Sequence, residues 1–285
     1  MNTLSIDVGG TKFSMAVFDG GRMIRRESKE TDREGGPDWM LGQILRIARE
    51  WRRQLPLDCC GVGFGGPVNF AKQRVYRSTH VGGWSDFPLS DELSRELGLP
   101  AIMDNDANVG ALGEATHGAA RGYEPVFYMT LSTGIGGGIY SGGKIWRGAD
   151  SYAGELGHVT IRPDGPECLC GAHGCFERMC SGLWLERDRG RSAKELMQDP
   201  AFVREYVVDL TLGLKACIML VNPGRIVIGG GISKAGEALF GPLRDELRRR
   251  ITHWSAARID VVPAGLADDS VLYGALALTG ELRAK

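Results

Sequence analysis

Two stretches of the sequence share one pattern, an apolar strand, a turn rich in glycine, serine and threonine, and a second apolar strand. The first reads LSIDVGGTKFSMAVF from Leu4, and the second reads VFYMTLSTGIGGGIYSG from Val126. Such turns lack bulky side chains, so their backbone N–H groups can point at phosphate oxygens. Their spacing fits neither a Walker loop nor the dinucleotide fingerprint. One such hairpin early in each half of the chain predicts a duplicated architecture with a cleft between the halves.

Buried strands and amphipathic helices alternate around these hairpins, which predicts an α/β fold. The predicted helices cover residues 37–53, 89–97, 106–118 and 201–221, and a final helix begins near Ser270. The predicted strands between the hairpins and these helices cover residues 59–64, 100–103 and 225–228. Two of these strands end in glycine turns, Gly65-Gly66-Pro67 and Gly229-Gly230-Gly231. The second of these turns allows a flat ring to approach the backbone closely.

Asp106 lies where a predicted strand ends and a predicted helix begins. Ligands bind at such positions in open α/β sheets, which makes Asp106 a candidate functional residue. The alternative is that Asp106 only caps the helix, because Asp and Asn are favoured at helix N-caps. Asp104 or Asn105 could do the capping instead.

Residues 158–177, which we call the cysteine loop, carry four potential metal ligands. They are one imidazole and three thiols, namely His158, Cys168, Cys170 and Cys175. This donor set is typical of a tetrahedral structural zinc site, although His173 could replace His158 as the nitrogen ligand. Reduced thiols beside a surface histidine are the less favoured alternative, because cysteines rarely cluster so closely by accident. A disulfide is also less favoured, because Cys168 and Cys170 are too close to bridge easily.

The composition excludes several classes of partner. With 285 residues the chain is long enough for two domains. Its 34 basic and 35 acidic residues nearly balance, which argues against nucleic acid or an anionic membrane as a partner. No signal peptide precedes the first strand, and no apolar run approaches the ~20 residues that span a bilayer. We therefore expect a cytoplasmic protein whose remaining cysteines are buried free thiols, at Cys59, Cys60, Cys180 and Cys217.

Six motifs occur in an order that is known from one protein family. They are IDVGGTK from Ile6, NDAN from Asn105, STGIGGG from Ser132, GELGH from Gly154, C-x-C-G-x-x-G-C-x-E from Cys168 and IGGGIS from Ile228. By these motifs the chain resembles the ROK family, the bacterial sugar kinases and sugar-responsive repressors of the actin/hexokinase superfamily. The resemblance covers nearly the whole chain. The cysteine motif with the upstream GELGH is specific to this family, whereas the glycine turns are shared across the superfamily.

The resemblance implies a two-lobed actin/hexokinase-like (ribonuclease H-like) α/β fold with a central cleft and a zinc-binding loop. The first lobe would comprise residues 1–116 and 274–285, with the first phosphate turn and Asp106. The second lobe would comprise residues 117–273, with the second phosphate turn, the cysteine loop and an adenosine-binding turn. The partners implied are a small-molecule sugar and ATP, and relatives commonly form a homodimer.

The resemblance also assigns site residues by position. The phosphates of ATP and a magnesium ion would be held by Asp7, Gly9, Gly10, Thr11 and Lys12 and by Ser132, Thr133, Gly134, Gly136 and Gly137. The adenosine would be flanked by Gly229, Gly230 and Gly231. The sugar would be contacted by Gly66, Asn105, Asp106, Glu155, His158 and Glu177. One ring nitrogen of His158 would bind the structural zinc and the other a sugar hydroxyl.

These assignments imply an ATP-dependent kinase that phosphorylates a hexose hydroxyl, with Asp106 as the general base. The 6-hydroxyl of glucose is favoured, because Glu155, His158 and Glu177 together resemble the glucokinase pattern. Relatives also phosphorylate N-acetylmannosamine, N-acetylglucosamine, allose and fructose. Contacts that discriminate among these sugars are expected in loops such as residues 77–84.

Three other classes of protein are less favoured. A non-catalytic sugar sensor would be expected to have lost Asp106 or one of the phosphate turns. A second class is an ATPase of the same superfamily with an iron–sulfur cluster. It would not explain why Glu155, Glu177 and the Asn105–Asp106 pair converge with the cysteine loop. A DNA-binding repressor is not expected, because the family's repressors carry a helix-turn-helix segment before the first phosphate turn, which begins here at residue 7.

Overall fold

The computed structural model describes residues 1–78, 81–251, 255, 257 and 259–282 of the chain, which divides into two compact units. The first unit comprises Met1–Thr116, Arg147–Ala153 and Asp269–Lys285, and the second comprises His117–Trp146 and Gly154–Asp268. Thr79 and His80, in the loop predicted to discriminate among sugars, lie outside the described residues, as do residues 283–285 of the predicted first lobe. The lobe boundaries predicted at residues 116 and 274 stay predictions.

The first unit is built on a five-stranded sheet. Its strands are β1 (Asn2–Val8), β2 (Lys12–Asp19), β3 (Arg22–Glu30), β4 (Cys59–Phe64) and β7 (Ala101–Asn105), and a separate antiparallel pair is formed by β5 (Val68–Asn69) and β6 (Arg74–Val75). The order in the sheet is β3-β2-β1-β4-β7. Strand β1 pairs antiparallel with β2 and parallel with β4, and β4 pairs parallel with β7. Strand β4 is buried along its whole length, as expected for a strand covered on both faces.

Among the described residues, four α-helices belong to the first unit, and glycines let the last of them pack closely. The helices are α1 (Gly36–Arg52), α2 (Leu89–Leu97), α3 (Asp106–Thr116) and α9 (Ser270–Leu278). A Cβ on Gly274 would lie 1.7 Å from the carbonyl oxygen of Val109, and one on Gly61 would lie 2.0 Å from that of Ala275. Helix α9 therefore packs against α3 and β4 at distances that only glycine permits.

The second unit repeats the plan of the first. Its strands are β8 (Val126–Leu131), β9 (Ile135–Ser141), β10 (Lys144–Ile145), β11 (Arg225–Gly229) and β12 (Val261–Pro263). The order is β10-β9-β8-β11-β12, with antiparallel pairs β10–β9 and β9–β8 and parallel pairs β8–β11 and β11–β12. In both sheets, the first three strands in this order pair antiparallel, and the last two are added by parallel pairing. The duplicated α/β architecture predicted from the two hairpins is confirmed.

The helices of the second unit share one hydrophobic core with this sheet. They are α4 (Phe176–Cys180), α5 (Gly182–Arg189), α6 (Ala193–Leu196), α7 (Pro200–Val221) and α8 (Glu237–Arg250). The longest, α7, begins where the Asp199 side chain accepts a hydrogen bond from the Ala201 N–H at 2.8 Å. It ends at Asn222, whose φ of 45° is left-handed. None of the helices in the described ranges combines the length and the apolar character that a membrane-spanning segment needs.

A buried ion pair joins distant segments of the first unit. Arg147 Nε donates to Asp104 Oδ2 at 2.7 Å, and Arg147 Nη2 donates to Glu281 Oε1 at 2.8 Å. The side chains of Asp104 and Arg147 are only 1% and 15% exposed, and the guanidinium lies 3.4 Å from the ring centroid of Phe70. Burial raises the pKa of Asp104, and Arg147 opposes that rise. The other oxygen of Asp104 accepts the backbone N–H of Asn105 at 2.7 Å, so the pair stabilises the segment that carries Asp106.

Replacing Arg147 with Met is expected to lower the free energy of unfolding by about 3 kcal/mol, because it leaves a buried carboxylate without its cation. Urea denaturation followed by circular dichroism measures this change. The matched control is Arg49→Met, which removes an exposed partner of Glu96 in the same unit, and an exposed pair is worth less than about 1 kcal/mol. Equal losses in the two variants would contradict a stabilising role for the Asp104–Arg147 pair.

Candidate active site

Parallel pairing brings three segments to one edge of the first unit's sheet. Strands β1, β4 and β7 run in the same direction, so the turn after β1, the Gly65-Gly66 turn after β4 and Asp106 after β7 meet there. A Cβ on Gly65 would lie 3.5 Å from the Cα of Gly9 and 3.6 Å from Oδ2 of Asp106. Asp106 therefore lies beside the predicted phosphate turn, a proximity that no local sequence pattern establishes.

The first predicted phosphate turn joins β1 to β2. The Gly9 N–H donates to the carbonyl oxygen of Lys12 at 3.1 Å and closes the turn. A Cβ on Gly9 would lie 2.6 Å from the same oxygen, so the turn requires glycine at this position. Gly10 and Thr11 complete the turn, and Asp7 lies in β1 just before it. Five predicted phosphate-binding residues thus occupy one tight hairpin.

Asn105 is the N-cap residue of helix α3, and Oδ1 of Asp106 also accepts the Ala107 N–H, at 2.8 Å. Oδ1 of Asn105 accepts the backbone N–H groups of Ala107 at 3.0 Å and Asn108 at 3.3 Å. Its Nδ2 donates to the carbonyl oxygen of Gly66 at 3.0 Å, which ties the glycine turn after β4 to the end of β7. The other carboxylate oxygen of Asp106, Oδ2, lies near the Gly65 turn. The sugar contacts predicted for Asn105 and Gly66 stay predictions, and Nδ2 carries a second hydrogen that could make such a contact.

A corresponding edge forms in the second unit. Strands β8 and β11 are parallel neighbours, so the second predicted phosphate turn and the predicted adenosine turn lie side by side. A Cβ on Gly230 would lie 2.5 Å from the carbonyl oxygen of Leu131, and one on Gly231 would lie 3.9 Å from Oγ of Ser132. Gly230 has a φ of +90°, which residues with side chains rarely adopt. The close approach explains why this turn is made of glycines.

The structure groups four potential metal ligands in the cysteine loop. They are His158, Cys168, Cys170 and Cys175, whose ligand atoms all lie within 4.8 Å of one another. His173 is outside this group, and its carbonyl oxygen accepts the hydroxyl of Thr160 at 3.1 Å. The Sγ atoms of Cys170 and Cys175 are 3.6 Å apart, close to the roughly 3.8 Å between two thiolates on a tetrahedral zinc ion with 2.3 Å bonds. The donor set and its spacing therefore fit zinc, and they favour His158 over His173.

The remaining cysteines are buried, as the sequence analysis predicts. They are Cys59, Cys60, Cys180 and Cys217. Burial raises the pKa of the thiols of Cys60 and Cys217 above the usual range, so these thiols are unreactive core residues.

Glu155, His158 and Glu177 form a cluster at the edge of the cysteine loop. The pKa of Glu155 is raised by burial and by the neighbouring Glu177, and His158 partly offsets this rise. Oε2 of Glu177 accepts the backbone N–H of Ile135, the first residue of β9, at 2.8 Å. The cysteine loop is thus bonded to the strand that follows the second phosphate turn. The two residues are 42 positions apart, and nothing in the local sequence indicates this bond.

Glycines allow the GELGH segment to lie directly on β9. A Cβ on Gly157 would lie 2.2 Å from the carbonyl oxygen of Ile135, and one on Gly154 would lie 2.5 Å from that of Gly137. Side chains at these positions would push Glu155 and His158 away from the strand. The second unit therefore brings together the second phosphate turn, the adenosine turn, the acidic cluster and the metal ligands.

The two sheets of identical topology, each with a glycine turn in its hairpin, define the actin/hexokinase-like class of α/β proteins. Comparison with known proteins specifies the family. The ROK family model matches residues 3–281, and the chain belongs to the ROK family. The resemblance inferred from the six motifs is thereby confirmed.

Relatives that match along nearly their whole length have sugar-kinase names. The glucokinase of Thermotoga maritima is 32% identical over 310 residues, covering 99% of this chain and 98% of the relative. The solved ROK hexokinase from Thermus thermophilus matches with a TM-score of 0.84 and 34% identity, covering 100% of this chain and 99% of that chain. A ROK family glucokinase from Streptomyces griseus, solved in complex with glucose and AMPPNP, matches with a TM-score of 0.87 and 29% identity, covering 99% of this chain and 100% of that chain.

The purified protein is expected to contain one zinc ion per chain, and Cys170→Ser is expected to lose it, because a hydroxyl is a much weaker zinc ligand than a thiolate. Inductively coupled plasma mass spectrometry after gel filtration measures the metal. Cys59→Ala, which removes a buried thiol outside the ligand group, is the control and should retain zinc. Iron with acid-labile sulfide in the wild type would contradict the assignment and favour an iron–sulfur cluster.

Proposed function

We propose that this ROK protein transfers the terminal phosphoryl group of ATP to the 6-hydroxyl of glucose, with Asp106 as the general base. The chain is an ATP-dependent sugar phosphotransferase. One observation supports the assignment of the base, namely that Asp106 lies beside the first phosphate turn. A Cβ on Gly65 would be within 3.6 Å of both Gly9 Cα and Asp106 Oδ2.

The reaction requires a group that accepts the proton of the sugar hydroxyl. A hydroxyl is a weak nucleophile, and a positioned carboxylate that takes its proton as the bond to phosphorus forms contributes typically ~10²–10⁴-fold. Asp106 suits this role because Asn105 holds the N-cap position of α3 and, while Oδ1 of Asp106 accepts the Ala107 N–H, its Oδ2 lies near the Gly65 turn. The Asp104–Arg147 pair and the Asn105–Gly66 bond hold the two residues that directly precede the base.

The nucleotide would bind through backbone groups of the glycine turns. The turn at residues 7–12 and the turn at residues 132–138 offer N–H groups to the phosphates, and Gly229–Gly231 would flank the adenosine. Asp7 supplies a carboxylate, the kind of ligand that magnesium prefers. When bound, magnesium neutralises charge on the phosphates. The protein's own contribution is to hold the phosphates in line with the sugar hydroxyl.

The sugar would be recognised by Glu155, His158 and Glu177, with further contacts from Asn105 and Gly66. Carboxylates accept hydrogen bonds from ring hydroxyls, and the cysteine loop fixes these side chains in place. Zinc would be held by His158 and the three cysteines and would stabilise this loop. Because all four positions of a tetrahedral ion are then taken by protein, no position is left for water or substrate.

An alternative is a kinase for another hexose or for an acetamido sugar such as N-acetylmannosamine or N-acetylglucosamine. Such an enzyme would use the same base and the same turns, and only the contacts to the sugar would differ. A non-catalytic sugar sensor is less well supported, because Asp106 and both phosphate turns are present. The likeness of Glu155, His158 and Glu177 to the glucokinase pattern favours glucose.

A coupled assay of ADP release across glucose, allose, fructose, mannose, N-acetylglucosamine and N-acetylmannosamine tests the proposal. Glucose is expected to give the highest kcat/KM, and loss of activity with 6-deoxyglucose would identify the phosphorylated hydroxyl. A higher kcat/KM with an acetamido sugar would reassign the substrate and leave the kinase activity in place. Absence of activity with every sugar would overturn the proposal.

Asp106→Asn is expected to lower kcat by ~10²–10⁴-fold, because the amide cannot accept the proton. The affinity for glucose, measured by isothermal titration calorimetry, should change far less. Asp91→Asn, which changes an exposed acid on α2, is the control and should keep wild-type kcat. A near-normal kcat in Asp106→Asn would show that another group is the base.

A further inference from the structure

Three consecutive carbonyl groups of the first phosphate turn accept hydrogen bonds from the segment that follows β3. The hydroxyl of Thr31 donates to the carbonyl oxygen of Gly9 at 2.9 Å. Nε of Arg33 donates to that of Gly10 at 3.1 Å. The backbone N–H of Thr31 donates to that of Thr11 at 2.9 Å. Three consecutive peptide groups of the turn are therefore fixed by two residues.

Fixing these carbonyls also fixes the direction of the N–H groups. In a planar trans peptide the C=O of one residue and the N–H of the next point in opposite directions. The N–H groups that share peptide planes with the three carbonyls are those of Gly10, Thr11 and Lys12. They therefore point away from Thr31 and Arg33, and this is the side on which we expect the phosphates. Successive N–H groups that point to one side form an anion-binding concavity.

The holding segment is itself ordered by local hydrogen bonds. Oδ1 of Asp32 accepts the backbone N–H groups of Glu34 at 3.0 Å and Gly35 at 3.1 Å, which fixes the chain around Arg33. Thr31 directly follows β3, whose last residue, Glu30, pairs with Lys12. The segment is thus anchored to the hairpin before it and to α1 after it.

Arg33 adds a charge to this arrangement. Its side chain is exposed, and within the described residues its guanidinium makes no ion pair with a carboxylate. A cation on the carbonyl side of a peptide group polarises the group and strengthens its N–H as a donor. The positive potential of the guanidinium also favours a polyanion at the turn.

The second phosphate turn is held in the same way by different atoms. The backbone N–H groups of Gly182 and Leu183, at the start of α5, donate to the carbonyl oxygens of Ser132 at 2.7 Å and Thr133 at 3.2 Å. In both turns, carbonyl groups accept hydrogen bonds from a neighbouring segment. The donors are two side chains and one backbone N–H in the first unit, and backbone N–H groups in the second. Only the first of these arrangements can be tested by side-chain substitution.

We propose that Thr31 and Arg33 are positioning residues of the phosphate site, which hold the first turn so that its N–H groups face the phosphates of the nucleotide. The inference deepens the proposed function and rests on it, since it concerns nucleotide binding by this turn. Neither residue touches the sugar or the reacting atoms in this assignment. Their loss should therefore weaken nucleotide binding and leave sugar binding unchanged.

Four variants of the full-length protein test this assignment. Thr31→Val removes the hydroxyl at nearly constant shape, and Thr31→Ser restores it. Arg33→Met removes the donor and the charge, and Arg33→Lys retains the charge. Thr279→Val is the control, because it removes a hydroxyl that donates to the carbonyl oxygen of Leu276 elsewhere in the same unit. Titration calorimetry with magnesium AMPPNP in the absence of sugar gives the nucleotide affinity, and steady-state kinetics give KM for ATP and for glucose.

Thr31→Val and Arg33→Met are each expected to raise Kd for AMPPNP and KM for ATP by about 2- to 10-fold, the loss of one ordinary hydrogen bond. KM for glucose should stay at the wild-type value. Thr31→Ser should restore the affinity, Arg33→Lys should restore part of it, and Thr279→Val should bind AMPPNP as the wild type does.

Two results would overturn the assignment while leaving the kinase activity intact. One is wild-type affinity for AMPPNP in both Thr31→Val and Arg33→Met. The other is an equal rise of KM for ATP and for glucose, which would indicate a general structural role. Arg33→Met keeps the test decisive if Thr31→Val does not fold, because Arg33 is exposed. A wild-type protein that binds no AMPPNP and phosphorylates no sugar would overturn the proposed function together with this inference.

Discussion

The parallel pairing of β1 with β4 and of β4 with β7 is the constraint on which the site of the first unit depends. Parallel neighbours end at the same edge of a sheet, and each needs a crossover connection of a dozen or more residues. Segments about 50 and 100 residues apart in the chain therefore meet at one edge, where Gly9, Gly65 and Asp106 are in close proximity. The second sheet repeats the pairing with β8 and β11 and assembles its own glycine turns by the same rule.

Several polar side chains at these edges have protein partners and act as supports. Asn105 caps α3 and bonds the Gly66 turn, Glu177 bonds the start of β9, and Arg147 neutralises the buried Asp104. Each bond ties a short loop to a strand or helix. Catalysis of phosphoryl transfer depends mainly on positioning and on electrostatic stabilisation, so a site built on glycine turns needs such supports. Glycine gives the turns their close approach but no rigidity of its own.

Much of the fold and of the candidate site could be predicted from sequence, because it depends on local sequence patterns. The glycine turns, the strand that ends at Asp106, the duplicated hairpins and the ligand set of the cysteine loop each lie within a short stretch, and the structure describes them as expected. The local cap of α3 by Asn105 was among the alternatives open from sequence, but the other supports could not be predicted, because they join residues far apart in the chain. The Asp104–Arg147 pair spans 43 positions and the Ile135–Glu177 bond spans 42. Asp106 itself illustrates the limit, since the sequence alone did not show which of Asp104, Asn105 and Asp106 holds the N-cap position of α3.

The first unit is assembled from three separate segments, and its last helix, α9, comes from the end of the chain. Because a ribosome makes the amino terminus first, all strands of the second unit emerge before α9 exists. Until then, the surfaces of α3 and β4 that α9 covers stay uncovered, including Gly61 and the backbone at Val109. During translation the second unit can thus complete its fold before the first, in reverse of the usual order in which amino-terminal domains fold earlier. Premature termination near residue 268 would consequently release a product whose amino-terminal core is open and prone to aggregation.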